Sequence, residues 1–307
     1  MTFMSDQLCL ANSIFLRQNP PRQEDGVAMT LSHNPTLTAE EIREELGKLD
    51  PGTPWTHHFD LCGVETITPD MDEKFYKKSM AAKNLGRLAL IYHQCFSGGK
   101  ALADTRVLDV ASAEGGLSAC FVEAGAKEVV GVEGRQLYVD RANLVSRALN
   151  LTNMKVHLGD VRHINKQTYG EFDFTINSGI LHHLGQDDFL PFLQAMGEVT
   201  RDVMFLYTHV STPEAVRDFR LKGPVKVADR FEGYLLQEHA EEASTEERIA
   251  QVRASLDNTY SFWATEEALI AALKSVGFGL VAKIMEPHVF GSHLNKSLRV
   301  IFICKKI

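Results

Sequence analysis

Apolar positions along this chain follow one pattern before about residue 105 and another after it. In the first third they are sparse and helical. Thr38 followed by Glu41 has the form of a capping box ahead of Ile42, Leu46 and Leu49, which mark one face of a short helix ended by Pro51-Gly52-Thr53-Pro54. Residues 55–67 set Phe59, Leu61, Val64 and Thr66 among polar neighbours and predict an extended segment or hairpin. Asp70 with Glu73 gives a second capping signal for a long helix to about Phe96, with Phe75, Met80, Leu85, Leu88, Ala89 and Tyr92 at its apolar positions.

From Arg106 the pattern alternates between short apolar runs and amphipathic helices. Strands are predicted over 107–111, 128–133, 154–158, 172–177 and 203–208, with helices over 117–123 and 137–149 and a third capped by Asp187 and reaching Val199. Such βα repetition at short spacing requires a parallel sheet covered on both faces, with right-handed crossovers. The stretch 211–260 is too long for an ordinary connection; it holds two charge-rich helical patterns, one on each side of Phe231-Glu232-Gly233-Tyr234, and reads as a helical cap inserted over the ligand face. Thr265 can cap the next helix, but Ala268 three positions on rules out a capping box, and Gly277 ends that helix. Residues 280–285 and 298–304 give the last two strands. The expected fold is therefore α/β: an open, mostly parallel, seven-stranded Rossmann-like sheet over 101–307. An N-terminal extension fills 1–100 and the cap fills 211–260. Residues 1–34, with Asn19-Pro20-Pro21 and Glu24-Asp25-Gly26, read as a flexible arm or lid.

Composition narrows the partners. Lys and Arg total 32 against 40 Asp and Glu, a net charge of -8, which weighs against a broad nucleic-acid footprint. No apolar run has the length of a membrane helix and the N-terminus lacks the build of a secretory signal, so a soluble cytoplasmic protein is expected, with no membrane partner. The five cysteines form no CxxC pair, and the twelve histidines show no strong zinc spacing; no metal is expected.

The stretch from Arg106 to Gly116 carries the chemistry. An apolar strand holding Asp109 opens at once into Ser112-Ala113-Glu114-Gly115-Gly116 and then a helix, the first unit of a nucleotide-binding sheet. Glu133 closes the second strand, where a carboxylate can accept two ribose hydroxyls. Asp160 follows the third and is either a surface turn acid or a contact to a base amino group. Ala111, Ala113 and Gly115 occupy the small positions in place of a G-x-G-x-x-G loop. Asp109 is also ill placed for a pyrophosphate but well placed for an ammonium, so a cationic sulfonium ligand bearing an amino acid fits better.

These residues resemble the class I S-adenosylmethionine-dependent methyltransferases. The run 109–115 is similar to their first motif, Glu133 and Asp160 to their ribose- and adenine-binding acids, and Asn177-Ser178-Gly179-Ile180-Leu181-His182-His183-Leu184 to their fourth motif. Phe262-Trp263-Ala264-Thr265-Glu266-Glu267 and Val276-Gly277-Phe278 look like the family's run into its last strand pair. The resemblance implies S-adenosyl-L-methionine as cofactor, contacted by Asp109, Ala111, Ala113, Gly115, Glu133, Gly134, Asp160, Val161, Asn177 and Ser178. The family usually has glycine where Ala111 and Ala113 stand; alanine forfeits easy access to positive φ, which implies a shifted loop or weaker binding. Pro54-Trp55 and residues 59–66 also look somewhat like bacterial enzymes that modify the wobble uridine of transfer RNA.

The reaction so implied is in-line transfer of a methyl group to an N or O atom of a small acceptor, aromatic and heterocyclic metabolites leading. RNA methylation or an inactive donor-binding protein are the alternatives, and a homodimer is compatible with either. A hydroxyl or amide acceptor benefits from a base, for which His182, His183 and His209 stand after strands four and five; their bland reading is packing and loop hydrogen bonding. Phe231, Tyr234, Phe262 and Trp263 can wall an acceptor pocket or pack, and His288 and His293 lie in the loop joining the last strands. His57-His58 depends on how the extension docks.

Overall fold

The computed structural model describes residues 36–49, 52–252, 254–285 and 299–307; the expected arm and the loop with His288 and His293 lie outside them. Helix α1 (Ala39–Lys48) starts with the expected capping box, Thr38 Oγ1 accepting from Glu41 N while the Glu41 carboxylate accepts from Thr38 N. Helix α2 (Glu73–Phe96) is capped by Asp72 rather than Asp70, its Oδ1 accepting from Phe75 N at 2.9 Å. The intervening 55–67 segment forms a single bridge, Asp60 to Glu65, and buries Trp55, Phe59, Leu61 and Val64.

The domain then runs β1 (Arg106–Val110), α3 (Gly116–Glu123), β2 (Glu128–Glu133), α4 (Gln136–Ala148), β3 (Met154–Leu158), α5 (Lys166–Tyr169), β4 (Phe172–Ser178), α6 (Gln186–Val199) and β5 (Thr200–His209). Gly185, not Asp187, precedes α6; Asp187 and Asp188 sit in its first turn, where the helix dipole favours acids. Next come α7 (Pro213–Asp218), β6 (Lys222–Val227), β7 (Phe231–Gln237), α8 (Thr245–Ala250), β8 (Tyr260–Ala264), α9 (Glu266–Ser275), β9 (Phe278–Met285) and β10 (Arg299–Lys306). Thr265 caps α9 through Ala268 N without a box.

The seven-stranded sheet has the order β3-β2-β1-β4-β5-β10-β9, parallel through β5, with β10 antiparallel to both its neighbours. Strand order reverses between β1 and β4, and ligands of open α/β sheets bind in the crevice at the carboxyl ends beside such a reversal. One face is covered by α2 and α3, where Leu85, Ala89 and Phe121 pack on Val107, Phe174 and Phe205. The other is covered by α6 and α9, where Phe189, Phe192, Leu193 and Leu269 pack on Leu108, Val110 and Leu206. Each of the buried Leu, Val and Phe side chains contributes about 1.5–3 kcal/mol.

The two expected helices of the 211–260 stretch, α7 and α8, do flank Phe231-Glu232-Gly233-Tyr234. The stretch between them is not helical: β6 and β7 pair antiparallel and β8 completes a three-stranded sheet. Alternate burial explains it, since Phe231 and Gly233 turn inward against Phe262 and Ala264 while Glu232 does not.

The extension is fastened by a carboxylate. Glu114, fully buried in the β1–α3 turn, accepts from Thr56 N at 2.9 Å and Arg141 Nη1 at 3.4 Å, and pairs with His57 Nδ1 at 3.1 Å. Arg141 in turn donates to Thr53 O at 2.6 Å and lies 4.8 Å over the Trp55 ring. Removing one partner of such a buried cluster strands the others. Glu114→Ala should therefore lower the unfolding free energy by about 3 kcal/mol in urea titrations; a loss below about 1 kcal/mol would refute the fastening role.

Candidate functional site

The turn that follows β1 is left-handed at Ala111 (φ 55), Ala113 (φ 47) and Gly115 (φ 77). The two alanines thus take the backbone that alanine reaches only at a cost, on the order of 1 kcal/mol each. Hydrogen bonds from the neighbouring strand hold them there: Ala111 N donates to Val132 O at 2.8 Å and Ala113 N to Glu133 Oε2 at 2.9 Å. Glycine stands at 115 and 116, where added side chains would be crowded. A Cβ on Gly115 would run into Met154, and one on Gly116 into the ring of His57.

Beyond this turn, at the carboxyl ends of β1 to β5, lies a cleft of about 610 Å³. Asp109, Glu133 and Asp160 all line it, together with Ala111, Ala113, Gly134, Val161 and Ser178. Gly115 caps α3 instead, and Asn177 is buried, its amide without a hydrogen-bond partner among the described residues.

The three acids differ in state. Asp109 accepts from Ser118 Oγ at 2.7 Å, and burial pushes its carboxyl up to about 6. Burial also raises that of Glu133, opposed by the amides of Arg135 and Ala113, each at 2.9 Å from a different carboxylate oxygen. Each of those oxygens keeps a lone pair for another donor. For Asp160 burial is outweighed: Arg162 grips both oxygens through its backbone amide, Nε and Nη2 and holds the carboxyl below its usual range. Arg162 Nη2 reaches on to Asp257 at 2.7 Å. Arg135 donates to the carbonyls of Ile249, Gln251, Ala254 and Ser255. Two arginines, each two residues after an acid, thereby clasp the loop after α8, and Leu256 and Asp257 of that loop line the cleft.

The candidate bases separate cleanly. His183 lines the cleft, and its Nδ1 lies 2.7 Å from Glu238 Oε1, which also accepts from Ser261 Oγ at 2.6 Å. Burial opposes the charge of Glu238, and the bond from His183 overcomes it and holds the carboxyl below its usual range. With Nδ1 donating to a carboxylate, Nε2 is the acceptor nitrogen of the ring.

His182 and His209 are corrections: both sit in the core behind the cleft. His182 is buried, with Nδ1 at 3.1 Å from Thr208 Oγ1, and burial drives its protonation far below the usual histidine range. His209 stacks on Trp263 at 4.4 Å and 6°, and its Nε2 accepts from Arg299 Nε at 2.9 Å. Burial and then the Arg299 charge bring its pKa to about 2.

The expected aromatic wall is also a correction. Phe231 and Phe262 belong to the core under α6 and α9, and Trp263 and Tyr234 pack with Ala215 and Leu221. The cleft is walled instead by Phe75 and Lys78 of α2, by Tyr207 and Arg299, and by Thr56 and His57 of the extension. Glu238, Arg299 and Glu114 carried no spacing signal, since each meets its partner only through the fold.

Residues 107–202 match a sequence family described as a methyltransferase domain. No curated protein sequence matches the chain. Among solved structures, the N-terminal domain of EvdMO1 with SAH bound superposes with a TM-score of 0.63 at 19% identity, covering 88% of this chain and 97% of that one. The magnesium protoporphyrin IX methyltransferase (ChlM) of Synechocystis PCC 6803 with bound SAH gives 0.52 at 13% identity, over 76% and 87% of the two chains. At these identities the superpositions establish a shared fold. Among the described residues no helix is long and apolar enough to cross a membrane.

Asp109 supplies a test of the site's electrostatics. Its folded pKa of about 6 lies above the ordinary 3.8, so the folded state holds a proton that the unfolded chain releases, and stability falls as pH rises between those values. Above pH 6 the ionised group costs on the order of 3 kcal/mol. Asp109→Asn should be more stable than the parent to urea at pH 8 by roughly that amount and no more stable at pH 4; an equal difference at both would contradict the assignment.

Proposed function

We propose that this chain, which carries a class I S-adenosylmethionine-dependent methyltransferase domain, moves a methyl group from that donor to an N or O atom of a small molecule. The observation that carries the reading is the composition of one cleft: buried Asp109 and Glu133 at the end formed by β1 and β2, and the carboxylate-backed His183 at the end formed by β4. When bound, S-adenosylmethionine supplies a methyl group on a positively charged sulfur, open to in-line displacement.

The residues present suit such a donor. A buried carboxylate with raised pKa is stabilised in its charged form by an ammonium, which is what Asp109 offers the amino-acid part. Glu133 has one lone pair left on each oxygen, enough for two ribose hydroxyls. Val161 and the Arg162-bound Asp160 lie where the base would rest, under the loop carrying Leu256. Ala111 and Ala113 present backbone to the donor at the strained turn.

At the other end His183 Nε2 takes the proton leaving the acceptor, while Glu238 holds the ring's orientation and tautomer. Phe75, Ile180, Leu184 and Tyr207 give the cleft apolar walls that exclude water and orient a small acceptor. The Synechocystis relative is named for a small-molecule acceptor, which supports the same class here.

Calorimetric titration with S-adenosylmethionine and SAH tests donor recognition. Glu133→Ala should weaken SAH binding by about tenfold or more while the fold persists, since it removes charged acceptors; unchanged affinity would end its assigned role. His183→Asn should lower kcat by about a hundredfold or more with SAH affinity intact, and Glu238→Ala by about tenfold. If neither moves kcat, the acceptor needs no base. Labelled donor offered separately to metabolite and RNA fractions settles the acceptor class: label confined to RNA would overturn the small-molecule reading.

A further inference from the structure

The acid that follows β3 is already occupied. Asp160 Oδ1 accepts from Arg162 N at 2.9 Å and from Nε at 3.0 Å, while Oδ2 accepts from Nε at 2.9 Å and from Nη2. A carboxylate offers about four lone-pair directions, and these contacts engage both oxygens. They are local bonds: Asp160 caps the short turn Val161–His163, and its side chain closes that turn. Little of it is left for a ligand.

A second carboxylate reaches the same end of the cleft from the insertion. Asp257, in the loop between α8 and β8, lines the cleft, and its Oδ2 accepts from Arg162 Nη2 at 2.7 Å. Its Oδ1 accepts no hydrogen bond among the described residues. The main chain around it is fixed separately. Arg248 Nη1 donates to Asp257 O at 2.8 Å, and Ser255 Oγ donates to Asn258 O at 2.6 Å. Leu256, one residue earlier, lies 3.2 Å from the place a Cβ on Gly134 would take, and Gly159 O lies 3.9 Å from the same point. The loop therefore sits over the gap between the ends of β2 and β3, where a nucleoside held through Glu133 puts its base.

We propose that Asp257, an acid of the inserted segment, receives the amino group of the donor's adenine, with Arg162 as its positioning residue. The assignment rests on the donor half of the reading above. An ionised carboxylate only accepts hydrogen bonds, and the amino group is the donor that an adenine edge presents. The planar guanidinium of Arg162, bonded to Asp160, holds one oxygen of Asp257 and leaves the other to accept.

The test measures, by calorimetry on the full chain, affinities for SAH and for its analogue with hydrogen in place of the adenine amino group. The Asp257 side chain is 40% exposed, so truncating it opens no core cavity. The parent should bind SAH about tenfold or more tighter than the analogue. Asp257→Ala should bring the two affinities within about twofold of each other by weakening SAH alone. Asp257→Asn, which keeps an uncharged carbonyl acceptor, should retain part of the preference. Arg162→Lys keeps a cation but not the fork that bridges both acids, and should lower the preference too; an unaltered preference there would strike Arg162 from the assignment. If Asp257→Ala keeps the parent's ratio, even with both affinities reduced, the assignment fails in favour of Asp160. It fails equally if the parent binds both probes alike. A parent that binds neither overturns the donor reading itself, which tells the two failures apart.

Discussion

Three of the five residues between β1 and α3 hold left-handed backbone, and two of them are alanines. That backbone is costly in isolation and persists because the end of β2 over-determines it. The Val132 carbonyl receives the amides of Ala111 and Ser112, and the Glu133 carboxylate receives that of Ala113. One turn consequently fixes the two ends of a larger assembly. On one side it brings Asp109, Ala111 and Ala113 to the cleft. On the other it turns the Glu114 carboxylate into the N-terminal extension, so that Thr56 and His57 become part of the same cleft wall.

Burial alone does not set the charge states around this turn. Asp109 and Glu114 are both fully enclosed, yet their carboxyl groups shift in opposite directions. Against the same desolvation, Asp109 has the hydroxyl and amide of Ser118 with His57 acting only through its charge, whereas Glu114 is bonded directly to His57 and the Thr56 amide, with Arg141 alongside. The first is poised to gain from a cation that arrives; the second is already satisfied and serves as structure. The histidines divide by the same logic: His183 has a carboxylate at one nitrogen and the cleft before it, while His182 and His209 are enclosed without an acid.

Much of this was legible in the sequence, for definite reasons. Period-two and period-3.6 patterns placed β2 and β3 to the residue, because their ends coincide with Glu133 and with Leu158-Gly159. Asp109, Glu133 and Asp160 reach one cleft because parallel strands must deliver their carboxyl ends to one edge. The hairpin β6–β7 was hidden by charged neighbours, and the aromatics of the insertion were claimed by the core rather than the pocket. Glu238, Arg299 and Glu114 act through partners 55, 90 and 58 positions away, separations at which local spacing carries no information. Alanine at 111 and 113 implies a shifted loop or weaker binding; the turn holds left-handed backbone at both, and the strand beside them supplies the bonds that keep it there.

The arginines after Glu133 and Asp160 have a mechanical corollary. The loop they grip presents three carbonyls to Arg135, with that of Ile249 at the end of α8 as a fourth, and one carboxylate to Arg162. Three of those bonds converge on Arg135 Nη2, so one side chain ties the carbonyls of Gln251, Ala254 and Ser255 together. The roof over the β2–β3 end of the cleft is thus tied down by two side chains that neighbour the acids beneath it.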